Sequence, residues 1–207
     1  IFKKHSYAFK CEVDNPVIID AGANIGMAVL YWKTKYPKSI IIAFEPSKLA
    51  FDSLVKNVQE NNLENVTCIN KALSDAEGTQ QFTTNEIISG SLNTSKDLEF
   101  NYKVDTTTLG KYLEQNIDFL KIDIEGAEKF VYKDIKKHIS KLNYVFLEYH
   151  SFVNEPQYLS NYLNLFEENN FRYYIEGESF KDNHFIEKRV SLNQDMKLNI
   201  WASNIEV

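Results

Sequence analysis

The sequence predicts an α/β domain in which a mostly parallel sheet is covered by helices. Three observations predict it. Strand-like and helix-like segments alternate through most of the 207 residues, the pattern of successive β-α-β units. The run Val17-Ile18-Ile19-Asp20-Ala21-Gly22-Ala23-Asn24-Ile25-Gly26 reads as a buried strand, a tight turn and a helix N-terminus. Asp20, Glu45 and Asp123 each stand at the end of an apolar strand, where open α/β sheets bind ligands.

The elements follow in order. Val17–Asp20 is the first strand, and the helix from Met27 to Tyr36 stops at Pro37. Ile40–Phe44 is the second strand. Pro46 and Ser47 open a helix over about Lys48–Asn61, whose Leu49, Phe51, Leu54, Val55 and Val58 keep helical spacing. Val66–Asn70 is the third strand. Residues 78–104 lack a strong helix pattern and read as an insertion: a short strand at Thr79–Thr84, a loop at Ile88–Leu92 and an extended segment at Phe100–Val104. Leu109–Gln115 then reads as a short helix, Ile117–Asp123 as strand four, Ala127–Lys137 as a helix and Asn143–Glu148 as strand five. A helix over Gln157–Asn169 precedes Phe171–Ile175 and Leu198–Ala202, an antiparallel pair that finishes the sheet.

Length and composition fit a single domain over residues 1–207, with 1–16 as a lead-in. At 43% hydrophobic and 25% charged the chain is an ordinary globular protein, and no apolar run is long enough for a membrane span. Cys11 and Cys68 are isolated, with neither metal-ligand spacing nor a disulfide framework, which points to a reducing cytoplasm. A net charge of −6 argues against nucleic acid as partner, because phosphate backbones demand a basic footprint. Oligomeric state is not legible.

The Gly22–Gly26 loop suggests a nucleoside cofactor. Two glycines let backbone approach a ligand where a Cβ would collide. Glu45, after the second strand, is placed to accept hydrogen bonds from both hydroxyls of a ribose. A dinucleotide fits less well. Asn24 replaces the second glycine of G-x-G-x-x-G, Met27 replaces the third, and Asp20 would repel a pyrophosphate. S-adenosylmethionine has no phosphate, carries a sulfonium and an ammonium, and keeps the ribose diol. The plainer alternative, a β-α turn using glycine for geometry alone, loses ground once Glu45 is counted.

Strand four runs into Leu120-Lys121-Ile122-Asp123-Ile124-Glu125-Gly126-Ala127-Glu128. Three carboxylates, Asp20, Glu45 and Asp123, converging on one crevice suit a cationic ligand. Glu128 and Glu125 also suit a helix start, where acidic side chains favour the dipole. Strand five ends in Glu148-Tyr149-His150, and alternation puts Glu148 and His150 on one side. A lone histidine is usually structural; one beside a glutamate at a strand's carboxyl end is a candidate base.

Taken together, Asp20–Gly26, Phe44-Glu45-Pro46, Ala72-Leu73-Ser74-Asp75, Leu120–Glu128 and Glu148-Tyr149-His150 resemble the FkbM family of S-adenosylmethionine-dependent methyltransferases. The resemblance covers about Val17 to His150. It implies a Rossmann-like, seven-stranded class I methyltransferase sheet of order 3-2-1-4-5-7-6. It further implies that Asp20, Gly22, Asn24 and Gly26 pack against the methionine portion of the cofactor, that Glu45 with Pro46 holds the ribose, and that Lys71, Ala72 and Leu73 lie at the adenine. Asp123 would sit near the amino group or the reacting methyl.

The activity expected is methylation of a hydroxyl on a sugar, glycan or natural product. Candidate bases are His150, then Glu125, then Asp123, with His150 first because an unperturbed imidazole titrates near neutrality. A metal is not expected, for no acidic-Asn pair follows strand five. The alternatives are a cofactor-binding, non-catalytic scaffold and, less favoured by charge, a nucleic-acid methyltransferase. Acceptor walls are expected at Ile87–Thr94, Tyr149–Pro156 and Gly177–Arg189, the last containing His184, Lys188 and Arg189.

Overall fold

A computed structural model of the chain describes residues 1–3, 5–84, 100–177, 190 and 193–204. Its elements are β1 (Val17–Ala21), α1 (Met27–Lys35), β2 (Ile40–Phe44), α2 (Lys48–Glu60), β3 (Val66–Ile69), β4 (Ala72–Leu73), β5 (Gly78–Thr84), β6 (Phe100–Thr107), β7 (Ile117–Ile122), α3 (Glu128–His138), β8 (Leu142–Phe152), α4 (Leu159–Glu168), β9 (Arg172–Gly177) and β10 (Gln194–Ser203). One sheet has seven strands in the order β3-β2-β1-β7-β8-β10-β9. Counted within that sheet alone, this is 3-2-1-4-5-7-6. β3, β2, β1, β7 and β8 run parallel, whereas β10 is antiparallel to both β8 and β9.

Strand alternation divides the core between the two faces. Ile18, Ile41, Phe119 and Phe146 pack with Val29, Trp32 and Leu54 of α1 and α2. Ile19, Leu120, Val145 and Leu147 pack with Val131 and Ile135 of α3 and Tyr162, Leu165 and Phe166 of α4. Each large apolar side chain taken fully out of water contributes about 1.5–3 kcal/mol, so two such layers hold the sheet rigid. A local signal marks the start of α2: Ser47 caps it by accepting from Ala50 N at 3.4 Å.

The lead-in covers the first face where α1 does not reach. Trp32 Nε1 donates to Tyr7 O at 3.0 Å and Trp201 Nε1 to Ser6 O at 2.9 Å. The Tyr7 ring meets Phe146 edge-on, and Phe9 lies against Tyr36 and Phe119. Burial pushes the Tyr7 hydroxyl up to about 12, with Lys121 opposing it. The fold therefore favours the neutral phenol. That contribution is whole below the ordinary value of 10 and lost as pH rises toward 12. Tyr7→Phe is expected to flatten the alkaline fall in stability between these limits by up to about 2–3 kcal/mol. Urea melts at both pH values check this; an equal fall in both proteins would reject it.

Three expectations need correction. The 109–115 segment forms a single 3-10 turn, Gly110–Tyr112, rather than a helix; Leu109 and Leu113 are both buried, and Gly110 N is taken by Asp134 Oδ2 at 2.8 Å. Strand five runs on to Phe152, because β10 pairs with it from Tyr144 through Phe152. The insertion is larger than 78–104. β4 pairs parallel with Thr106–Thr107 and β5 antiparallel with β6, giving a separate three-stranded sheet. The Ile88–Leu92 loop, the Ile87–Thr94 wall, and His184, Lys188 and Arg189 lie outside the described residues. Among the described residues, no helix is long and apolar enough to cross a membrane.

Candidate active site

The β1–α1 loop is lined by backbone. Gly22 (φ 89°), Asn24 (φ 50°) and Gly26 (φ 88°) all adopt the left-handed region. A Cβ on Gly22 would lie 1.7 Å from the Asp123 carbonyl oxygen, so only glycine lets the loop press on the end of β7. Gly22 N and Ala23 N both donate to Phe44 O, at 3.1 and 2.8 Å, and Asp123 N donates to Ala21 O at 3.0 Å. These bonds tie together the carboxyl ends of β1, β2 and β7. Asn24 tolerates its conformation because its own Oδ1 accepts from Ile25 N at 2.7 Å.

Glu45 bridges this loop to α2. Its Oε2 accepts from Asn24 N at 2.8 Å and its Oε1 from Ser47 N at 2.9 Å. Burial pushes its carboxyl pKa up, and these two N–H groups pull it partly back. Asn70 Nδ2 donates to the carbonyls of Glu45 and Pro46, fixing the turn between β2 and α2. Lys71 and Ala72 are half-buried and Leu73 is buried. Ala72 and Leu73 are held by the small sheet, immediately beyond β3.

A buried charge row crosses the sheet beneath the loop. Asp20 is 0% exposed and Lys121 3%. Register sets them side by side across β1 and β7. Lys121 Nζ lies 3.1 Å from Asp20 Oδ1 and 3.3 Å from Asp123 Oδ2, and donates to Gly22 O at 2.8 Å. Burial opposes the lysine's charge, but Asp20 and Asp123 outweigh it and hold the ammonium. Burial likewise pushes Asp20 toward neutrality and Lys121 opposes it; with the ammonium this close, the ion pair is the state the geometry favours. Asp20 is thus enclosed with Lys121 as its countercharge, so of the three carboxylates expected to converge on a crevice this one is not open to a ligand.

His150 occupies a second cluster. Its side chain is fully enclosed; Nδ1 lies 3.0 Å from Glu128 Oε1, and Nε2 lies 3.4 Å from Glu148 and 3.5 Å from Glu125. Burial alone would lower the imidazole, but the surrounding carboxylates of Glu128, Glu148 and Glu125 raise it to about 10. Its carboxylate neighbours thus favour the protonated ring, which argues against the neutral base expected of an unperturbed imidazole. Glu148 is raised by burial and lowered more by His150 and Lys197, reaching about 2. Glu125 differs: its side chain is 70% exposed and its backbone is left-handed at φ 53°. A non-glycine residue in that region stores strain of about 1–3 kcal/mol, the kind found at functional sites.

Residues 20–173 match the family model described as the methyltransferase FkbM domain, about three-quarters of the chain. The chain belongs to the FkbM methyltransferase family. Methyltransferase sdnD of Sordaria araneosa is 43% identical over 84 residues, 40% of this chain and 32% of that protein. Methyltransferase 1 of Beauveria bassiana is 29% identical over 147 residues, 59% of each chain. This chain therefore spans about a third to three-fifths of the length of these curated relatives. Among solved structures, the FkbM methyltransferase of Methylobacillus flagellatus KT shares the fold at a TM-score of 0.56 and 15% identity, over 90% of this chain and 44% of that one.

The matched segment is a methyltransferase domain, and S-adenosylmethionine is the cofactor that goes with that domain. The fold brings Gly22, Asn24, Gly26, Glu45 and Asp123 to one end of the sheet; Glu125 follows β7, and His150 lies toward the end of β8, where that strand pairs with β10. Sequence reasoning missed two charges, Lys121 and Lys197. Lys121 interrupts an apolar strand, and that interruption was the available signal; Lys197 sits in the polar stretch Gln194-Asp195-Met196-Lys197 and carried no such signal. Glu128 was read as a helix-dipole residue, yet its side chain is buried against His150 and its carbonyl accepts from Tyr162 Oη at 2.8 Å.

Proposed function

We propose that the enzyme methylates a hydroxyl oxygen on a sugar, glycan or natural product. The observation that carries this is Glu125, an exposed carboxylate on a strained, left-handed backbone just beyond the end of β7. In this reading, the loop of Gly22, Asn24 and Gly26 receives the methionine portion of the donor. A carboxylate offers about four lone-pair positions, so Glu45, with two spent on N–H groups, keeps two for the ribose diol. Lys71, Ala72 and Leu73 flank the adenine, with Pro46 beside the ribose, and Asp123 faces the amino group. Asp20 acts behind the loop by holding Lys121.

Transfer from a sulfonium is an in-line displacement. The acceptor oxygen attacks the methyl carbon as the carbon–sulfur bond breaks, leaving S-adenosylhomocysteine. Alignment supplies several kcal/mol of the barrier. A protonated hydroxyl is a poor nucleophile, and Glu125 is the group positioned to take its proton, an effect of roughly a hundredfold or more. His150 and Asp123, the other candidate bases, are held in closer ion pairs and are more enclosed, whereas Glu125 meets His150 only at 3.5 Å and keeps most of its side chain exposed.

Two measurements test this. Calorimetry with S-adenosylmethionine is expected to show Glu45→Gln weakened by about 1.5–3 kcal/mol; unchanged affinity rejects the ribose role. S-adenosylhomocysteine formation should then appear with hydroxylated saccharides or polyketide-like alcohols and fall at least a hundredfold in Glu125→Gln. Product formed only with RNA would overturn the acceptor class, and binding with no product on any acceptor would favour the scaffold reading.

A further inference from the structure

We propose that Asp123, Glu148 and His150 bind one divalent transition-metal cation at the carboxyl ends of β7 and β8. Each offers a ligand atom, and these atoms all lie within 4.8 Å of one another. Ligands of a shared ion each sit about 2.0–2.2 Å from it, so small rotamer changes close the set without backbone movement. Asp123 directly follows β7 and the other two belong to β8, a neighbouring strand packed in the core.

The orientation of His150 supports the site independently of the carboxylates. Nδ1 is committed to Glu128 at 3.0 Å, and Glu128 is itself fixed by Gly126 N at 3.1 Å. Metal-binding histidines are characteristically held by a carboxylate on the far nitrogen in this way. Nε2 is left enclosed and without a well-formed hydrogen bond, its nearest oxygens at 3.4 and 3.5 Å. A buried polar atom without a partner is costly, and a cation bound in place of the Nε2 proton would remove the cost.

Two carboxylates and one imidazole favour Mn²⁺, Fe²⁺, Co²⁺ or Zn²⁺ over Mg²⁺ and Ca²⁺, which prefer all-oxygen shells. Without metal, the positive charge comes from Lys197 on Glu148, from Lys121 on Asp123 at 3.3 Å and from the His150 proton. Lys197 is 29% exposed and can swing away. Lys121 stays with Asp20. The site goes beyond the proposed methyl transfer, with which it shares Asp123, and metal binding is read without donor or acceptor present.

The test uses the full chain, freed of metal with chelator and titrated with MnCl₂ in the absence of donor and acceptor. The signal of free Mn²⁺ is followed by electron paramagnetic resonance. One saturable site is expected, displaced by equimolar Zn²⁺. Glu148→Gln and His150→Gln should each weaken it at least tenfold, and Lys197→Met should tighten it several-fold by freeing Glu148. Circular dichroism verifies folding; if His150→Gln does not fold, Glu148→Gln and Lys197→Met decide. Absence of saturable Mn²⁺ binding to the unaltered chain, or the same affinity in folded Glu148→Gln and Lys197→Met, would overturn the proposal.

Discussion

Replacing Lys121 with methionine is expected to destabilise the protein by about 3–5 kcal/mol. The reason is what it leaves behind. Asp20 is 0% exposed, and Lys121 is the cation at 3.1 Å from it. Removing one partner of a buried pair strands the other charge, whereas replacing both with apolar or neutral groups of similar size is far milder. Asp20→Asn combined with Lys121→Met should therefore recover most of the loss. The pH dependence has a definite sign. Without Lys121, burial holds the Asp20 pKa above its unfolded value, the direction it already takes in the intact protein. Stability from the neutral acid is then whole below the unfolded carboxyl range and lost as pH rises through the folded value. The penalty of Lys121→Met should be smaller at pH 4 than at pH 7. Denaturant titrations at both values measure it, and a penalty independent of pH would reject the stranded-charge explanation.

Gly22→Ala is expected to cost about 3–5 kcal/mol, from a left-handed backbone and an overpacked contact together. The added methyl would meet the Asp123 carbonyl at 1.7 Å, and that oxygen belongs to a strand end that cannot give way. The loop must lift instead, breaking Asp123 N to Ala21 O and Lys121 Nζ to Gly22 O. Donor binding should fall with it. Gly26→Ala is the internal comparison: its Cβ would meet Leu54 Cδ1 at 2.7 Å, the end of a flexible side chain, so the milder effect belongs there. Thermal melts and donor calorimetry distinguish the two. If Gly22→Ala binds donor as well as the unaltered chain, the close approach is not what shapes the pocket.

Much of this was readable in the residues, for identifiable reasons. β1, its glycine loop and Glu45 announce themselves because apolar runs, glycines and a terminal acid lie close together in sequence. What stayed hidden depends on partners distant in the chain. Asp20 and Lys121 face each other through the register of β1 and β7, which local pattern does not encode. The apolar signal of β8 ends near Leu147, yet Glu148, Tyr149, His150 and Ser151 continue the strand because β10 runs alongside. His150 looked like an ordinary imidazole until the start of α3 brought Glu128 to within 3.0 Å. Leu109 and Leu113 carry helical spacing, but burying both needed only one 3-10 turn.

The turn after β7 carries a constraint on size. Gly126 is left-handed at φ 97°, and a Cβ there would come within 2.4 Å of the Phe152 ring at the end of β8. Positions 126 and 152 are therefore mutually limiting in size. Among homologous sequences, a side chain at 126 should be accompanied by a trimmed residue at 152, so that the pair co-varies although 26 positions separate them.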